Sequence, residues 1–76
     1  MKTGETKTIA FKRLATNRAN NTLKNIRLLG NLSNTNNYSY SSDEIQRVFR
    51  IIEEELKLSK ARFTLEFRKR KKDFRL

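Results

Sequence analysis

The sequence contains no cysteine, histidine, proline or tryptophan, and only two glycines. The lack of cysteine excludes disulfides, and the lack of both cysteine and histidine excludes zinc sites of the usual kind. Gly4 and Gly30 are too far apart to form a phosphate-binding loop. The acids Glu53, Glu54 and Glu55 are consecutive, so on a helix they point in three directions and do not converge. We therefore expect no catalytic residues, no metal site and no cofactor, which means that the protein is not an enzyme.

Long hydrophobic runs are also missing from the sequence. No apolar stretch approaches the ~20 residues that a helix needs to cross a bilayer. The N-terminal residues MKTGETKTIAF lack the apolar core of a signal peptide. We therefore expect a cytoplasmic protein with no membrane span.

Negative charge is scarce, with 18 lysines and arginines against 8 acidic residues and a net charge of +10. The charge is uneven, because residues 1–35 carry +6, residues 36–55 carry −3 and residues 56–76 carry +7. Two basic ends favour a bound acidic polymer such as a nucleic acid. The alternative is a soluble surface that is merely rich in lysine.

Residues 9–29 follow the period of an α-helix. Thr6 or Thr8 could cap its start, and Gly30 could end it in the left-handed conformation that glycine accepts readily. At about 100° per residue, one side of this helix carries mostly apolar residues and the opposite side is polar. The apolar side holds Phe11, Leu14, Ala15, Ala19, Thr22, Ile26 and Leu29, and the polar side holds Arg13, Asn20, Lys24 and Arg27.

A second helix is predicted over residues 43–67. Ser41 and Glu44 have the spacing of a capping box at its start. The segment RFTLEF alternates as a strand would, but Phe63 and Phe67 continue the apolar stripe of a helix, which favours the helix. One line of residues, which we call the seam, recurs at alternating intervals of four and three positions, as in a coiled coil. The seam consists of Ile45, Phe49, Ile52, Leu56, Ser59 and Phe63.

These elements predict an all-α fold. Residues 1–67 would form an antiparallel two-helix hairpin with the connection at 30–42, followed by a basic tail at 68–76. A chain of this length buries only ~60% of its unfolded surface, so two helices alone make a marginal core. Self-association of two hairpins into a helical bundle would complete it. The alternative is a monomer closed by its two terminal segments.

Two polar residues of the first helix, Arg18 and Asn25, fall inside its apolar arc. One interpretation is structural, with Arg18 opposite the acids near residues 53–56 and Asn25 bonded to backbone in the connection. The other interpretation is functional. Asn17, Asn21 and Asn25 would then form a polar ladder that touches bases or a protein partner.

The connection GNLSNTNNYSYSSDE, residues 30–44, is rich in residues that adopt turns. Tyr38 and Tyr40 are unusual for a linker, because tyrosine tends to lie on a core edge or to stack on a ligand. An ordered lid over the end of the hairpin is favoured. A recognition surface that stacks on bases and a mobile linker are the alternatives.

The tail RKRKKDFRL contains five consecutive basic residues, which bind phosphates without reading sequence. The same block would suit an anionic membrane surface or a nuclear import signal. A frayed and solvated helix end is the remaining interpretation.

Residues 11–63 resemble a group of short basic proteins of bacteria and mobile elements. The shared pattern is F-x-x-L-A-x-x-R-x-N, then I-x-x-(L/I)-G-N-x-(S/A)-N, then (N/S)-Y-x-Y and a helix ending in K-x-x-F. Its positions here are Phe11, Leu14, Ala15, Arg18, Asn20, Ile26, Leu29, Gly30, Asn31, Ser33, Asn34, Tyr38, Tyr40 and Phe63. The resemblance implies no activity, but it does imply that the segment 30–40 is ordered and functional, and that the protein has a phage or mobile-element origin.

The sequence therefore predicts a small, basic, non-catalytic protein that binds RNA or DNA. Tyr38 and Tyr40 are the candidates for base stacking, and a homodimer is a candidate assembly. The alternative is a small accessory subunit or inhibitor that docks on an acidic surface of a larger nucleic-acid enzyme. The candidate phosphate contacts are Arg13, Lys24, Arg27, Arg68, Lys69, Arg70, Lys71 and Lys72.

Overall fold

The computed structural model describes the backbone of residues 5–72 and the side chains of residues 5–69. Two α-helices, α1 (Lys7–Gly30) and α2 (Ser42–Lys72), are separated by a 3-10 turn at Asn31–Ser33 and a short irregular segment. There is no strand in the described part of the chain. The predicted all-α class is confirmed.

The chain divides into two units, residues 1–39 with α1 and residues 40–76 with α2. None of the described side chains in either unit is buried. The least exposed ones belong to the predicted apolar stripes or border them, and they are Ala10, Leu14, Ala15 and Leu29 on α1 with Ile45 and Ile52 on α2. Each helix therefore displays an apolar side to solvent.

The start of α1 is set by Thr6. The Ile9 N–H donates to Thr6 Oγ1 at 3.2 Å, and the Ala10 N–H donates to the Thr6 carbonyl at 2.9 Å. A threonine side chain at this position satisfies one of the amides that have no partner within the helix. Of the two predicted caps, Thr6 is the one used, and α1 begins two residues before its predicted start at residue 9.

The end of α1 corrects the predicted role of Gly30. Gly30 is the last residue of the helix, with φ −61° and ψ −28°, and no described residue has a positive φ. The helix does not stop in a left-handed residue but tightens into the 3-10 turn, where the Asn31 N–H points to the carbonyls of Arg27 and Leu28. The tightened turn satisfies the last carbonyls in place of a left-handed cap.

The predicted capping box of α2 is confirmed. Ser41 Oγ accepts from the Glu44 N–H at 3.1 Å, and Glu44 Oε1 accepts from the Ser41 N–H at 2.9 Å. Asp43 and Glu44 add negative charge to the first turn, where the helix dipole is positive. These local contacts determine where α2 begins.

The far end of α2 lies at Lys72, five residues beyond the predicted end at residue 67. The segment RFTLEF is helical, as the apolar stripe predicted. The helix then continues through residues 68–72, because arginine and lysine are good helix formers and no glycine or proline interrupts them. The predicted helix end at residue 67 is therefore wrong by five residues. The separate basic tail at residues 68–76 stays a prediction, and its residues 73–76 lie outside the described residues.

The segment between the 3-10 turn and α2 is organised around Asn34. Its side-chain Oδ1 accepts from the Asn36 N–H at 2.9 Å, and its carbonyl accepts from the N–H groups of Asn37 at 3.2 Å and Tyr38 at 3.0 Å. An asparagine that bonds to the backbone two residues ahead defines a turn by itself. The residues before Tyr38 are therefore held in a specific turn.

Candidate nucleic-acid interface

One face of α1 is polar and exposed along most of its length. Its residues recur at intervals of four, three, four and three positions in the sequence. At 100° per residue, their side chains start from an arc of about 80° around the helix axis. We call this set the α1 polar face, and it consists of Arg13, Asn17, Asn20, Lys24 and Arg27, all exposed.

The α1 polar face contains three of the predicted phosphate contacts, Arg13, Lys24 and Arg27. The structure thus brings these three residues together on one side of a single helix. The polar ladder of Asn17, Asn21 and Asn25 stays a prediction, and Asn17 also lies on the same side of the helix as Asn20 and the cations. The sequence already grouped Arg13 and Asn20 with Lys24 and Arg27, and the intervals of four and three residues could have added Asn17 to them.

All the charged side chains of α1 are basic. The helix carries six basic residues and no acidic residue. The nearest acids in the sequence are Glu5, before the helix, and Asp43, at the start of α2. With no carboxylate along its 24 residues, α1 carries only positively charged side chains, which favour a polyanion.

Glu5 contacts this face at one point. Arg13 Nε donates to Glu5 Oε2 at 2.7 Å, and Arg13 Nη2 donates to Glu5 Oε1 at 3.1 Å. The hydrogen bond from Arg13 lowers the pKa of Glu5 below its ordinary value, and the same bond raises the pKa of Arg13. The Arg13 side chain is still 53% exposed, so solvent screens this pair and a phosphate can compete for the guanidinium.

The residues predicted to be structural lie away from the α1 polar face. Arg18 and Asn25 fall on the apolar side of α1, and both are exposed. The Arg18 carbonyl accepts from Thr22 Oγ1 at 2.8 Å, which is a bond within the helix and does not involve the guanidinium. The expectation that Arg18 and Asn25 meet partners in a hairpin seam stays a prediction.

The two tyrosines belong to different units. Tyr38 ends the Asn34 turn in the first unit, and Tyr40 lies just before the capping box in the second. Both rings are exposed. Exposure is compatible with the predicted base stacking, which stays a prediction.

The C-terminal cations belong to α2. Over residues 56–72 the helix carries eight basic residues and one acid, Glu66. Lys69 Nζ lies 3.2 Å from Glu66 Oε2 in an exposed pair, and Arg68 is exposed. The backbone of the remaining candidates, Arg70, Lys71 and Lys72, is helical, and their side chains lie outside the described set.

A second apolar line on α2 escaped the sequence-based prediction. Ile51, Leu58 and Leu65 recur every seven residues and are 58%, 61% and 57% exposed. They lie about 140° around the helix from the predicted seam of Ile52 and Leu56. The exact seven-residue interval was the signal that could have revealed them. α2 therefore has two apolar sides.

Neither described helix contains an apolar stretch long enough to cross a membrane. Comparison with protein-family models, with curated proteins and with solved structures finds no match to this chain.

Proposed function

We propose that this protein is a small, non-catalytic nucleic-acid-binding protein. The observation that carries the proposal is α1, a helix of 24 residues with six cations and no acid, on which Arg13, Lys24 and Arg27 share one exposed face. A helix of this kind binds a phosphate backbone, because each phosphate that it neutralises releases condensed counterions. The cations of residues 56–72 on α2 supply a second phosphate-binding segment.

The complete fold in this proposal is an antiparallel hairpin of α1 and α2, two copies of which associate into a bundle. Its support is that none of the side chains at residues 5–69 is buried while both helices carry apolar stripes. Exposed apolar residues of this number favour association, because burying each large side chain contributes ~1.5 to 3 kcal/mol. The line of Ile51, Leu58 and Leu65 gives α2 a second apolar side for such an assembly.

The biological setting of the proposal is a phage or a mobile element, with the protein acting in the cytoplasm. The support is the resemblance carried by residues 11–63. In this setting Tyr38 and Tyr40 provide stacking for unpaired bases, which adds affinity for single strands.

The test is fluorescence anisotropy of labelled duplex DNA and single-stranded RNA between ~50 and ~300 mM salt. We expect binding that weakens steeply with salt. The double variant Lys24→Ala/Arg27→Ala should lower the affinity and reduce the slope of log K against log salt by up to about two. The matched control is Arg47→Ala/Arg50→Ala, which removes the same charge from the acidic half of α2.

Equal losses in the two double variants would show that only net charge matters and would contradict an interface on α1. Failure of the unmodified protein to bind either nucleic acid at ~50 mM salt would overturn the proposed function itself.

The exposed seam of α2 favours a second candidate, an accessory subunit or inhibitor that docks on a larger nucleic-acid enzyme. Its apolar residues Phe49, Ile52 and Leu56 would contact the enzyme, and the cations would face an acidic surface. Docking of this kind would depend on Ile52 and Leu56. Equal capture of the same nucleic-acid enzyme by the unmodified protein and by Ile52→Ser would argue against it.

A further inference from the structure

We infer that α1 enters the major groove of duplex DNA, where Asn17 and Asn20 contact base edges. This inference rests on the proposed function and specifies its ligand. It assigns sequence recognition to two residues and phosphate contact to their neighbours on the same face.

The order of residues along the α1 polar face, with cations at both ends and amides between them, fits the major groove of DNA. Arg13 lies at one end, Lys24 and Arg27 lie at the other, and the two amides lie between them. Arg13 and Arg27 are about 21 Å apart along the helix axis, and Arg13 and Lys24 about 16 Å. The major groove is about 12 Å wide and is bordered by phosphates on both sides. Long basic side chains can thus reach both backbones while the amides face the floor of the groove.

The amides have the chemistry that base recognition needs. An asparagine side chain presents one acceptor and one donor side by side, and it pairs with N6 and N7 of adenine in the major groove. Asn17 and Asn20 are about 4.5 Å apart along the axis, about a third more than the ~3.4 Å between successive base pairs, which places them near neighbouring pairs. Among the described residues, neither amide takes part in a hydrogen bond or an ion pair. Both are therefore available to a ligand.

Folding gives no reason for asparagine at these two positions. Asparagine is a poorer helix former than alanine, and it stabilises a helix mainly at caps and turns. Asn17 and Asn20 lie in the middle of α1, far from either end, and both are exposed. Contact with a ligand would explain why asparagines occupy these positions between the cations of the α1 polar face.

The same face favours duplex DNA over RNA. The major groove of an RNA duplex is deep and narrow and does not admit a helix. Single strands are held mainly by stacking on aromatic side chains, and the α1 polar face has none. A helix that carries amides and cations but no aromatic ring fits the open groove of DNA.

The test begins with selection of bound sequences from a randomised DNA duplex, followed by affinity measurements on the selected duplex, a scrambled duplex and an RNA duplex. We expect the unmodified protein to prefer the selected duplex over the scrambled one by roughly tenfold or more. The double variant Asn17→Ala/Asn20→Ala should bind both DNA duplexes within about twofold of each other and keep the salt slope, because its phosphate contacts remain.

The chain offers a matched control in Asn25→Ala, compared with Asn20→Ala. Asn25 lies about 80° from Asn17 around the helix, on the apolar side. The Asn25→Ala variant should still prefer the selected duplex over the scrambled one, whereas the Asn20→Ala variant should show a smaller preference. Circular dichroism should show that Asn17→Ala/Asn20→Ala retains its helix, because alanine is the better helix former.

Three results would overturn the inference: no enriched sequence, an unchanged preference in Asn17→Ala/Asn20→Ala, or tighter binding to the RNA duplex. In each of these cases binding to the scrambled duplex or to RNA would leave the proposed function standing. Absence of binding to every duplex and to single-stranded RNA would overturn both.

Discussion

The Glu5 carboxylate and the Arg13 guanidinium form a two-bond contact across the start of α1, with N–O distances of 2.7 and 3.1 Å. Glu5 is the single acid among the first 42 residues of the sequence, and it contacts a residue of the α1 polar face. The pair therefore partly neutralises the cationic end of the proposed interface. A phosphate that takes the Nε and Nη2 donors of Arg13 must displace Glu5.

This competition leads to the first prediction, for the variant Glu5→Gln. We expect a roughly two- to fivefold higher affinity for duplex DNA at low salt, because the exposed Glu5–Arg13 pair is only a weak competitor for a bound phosphate. Anisotropy titration measures the change. The control is Glu54→Gln, which removes the same charge from α2. An equal gain in both variants would show that net charge, and not the release of Arg13, is responsible.

The second prediction concerns pH. Since the hydrogen bond from Arg13 lowers the pKa of Glu5 in the folded state, the pair stabilises the start of α1 above the ordinary pKa of 4.5. That stabilisation is lost as the pH falls through the lowered pKa. An NMR titration of the Glu5 carboxyl carbon should give a midpoint below that of the same carbon in Arg13→Ala. Identical midpoints would mean that the pair does not form in solution.

The third prediction concerns Gly30→Ala. A Cβ at this position would meet nothing within 4 Å, and the residue has right-handed helical angles. Replacing a helical glycine with alanine should raise the free energy of unfolding by ~0.5 to 1 kcal/mol. Thermal unfolding monitored by circular dichroism measures this change. A lower melting temperature would instead support the left-handed helix end that the sequence predicted.

The fourth prediction concerns the capping box of α2. Ser41→Ala removes the acceptor for the Glu44 N–H and should cost ~1 kcal/mol of unfolding free energy. Ser42→Ala is the control, because Ser42 Oγ only accepts from the Gln46 side chain at 3.3 Å. Equal effects of the two substitutions on chemical denaturation would contradict the assignment of Ser41 as the cap.

The fifth prediction concerns self-association through the second apolar line of α2. Leu58→Gln should weaken the assembly, because Leu58 lies at the centre of the line between Ile51 and Leu65. Sedimentation equilibrium measures the association constant directly. Leu23→Gln, which changes an exposed leucine of α1 in the same way, is the control and should leave the constant unchanged.

Local patterns were enough to predict the helices of this protein. The pair of Ser41 and Glu44 was identified as a cap from residue type and spacing alone, because capping bonds join residues three or four apart. For α1 the same rules left Thr6 and Thr8 as alternatives, and the structure selected Thr6. The apolar period also decided correctly that RFTLEF is helical. The end of α2 was placed too early, because basic residues were taken as a tail although they are good helix formers.

The sequence by itself determined the all-α class, the two helices and the excess of positive charge, since each depends on composition or on contacts within a helical turn. Only the three-dimensional structure decided the rest. It showed that Gly30 is right-handed, because a 3-10 turn satisfies the last carbonyls of α1. It also showed that Glu5 folds back onto Arg13, eight residues away, because the path of the chain before the helix cap brings the two side chains together.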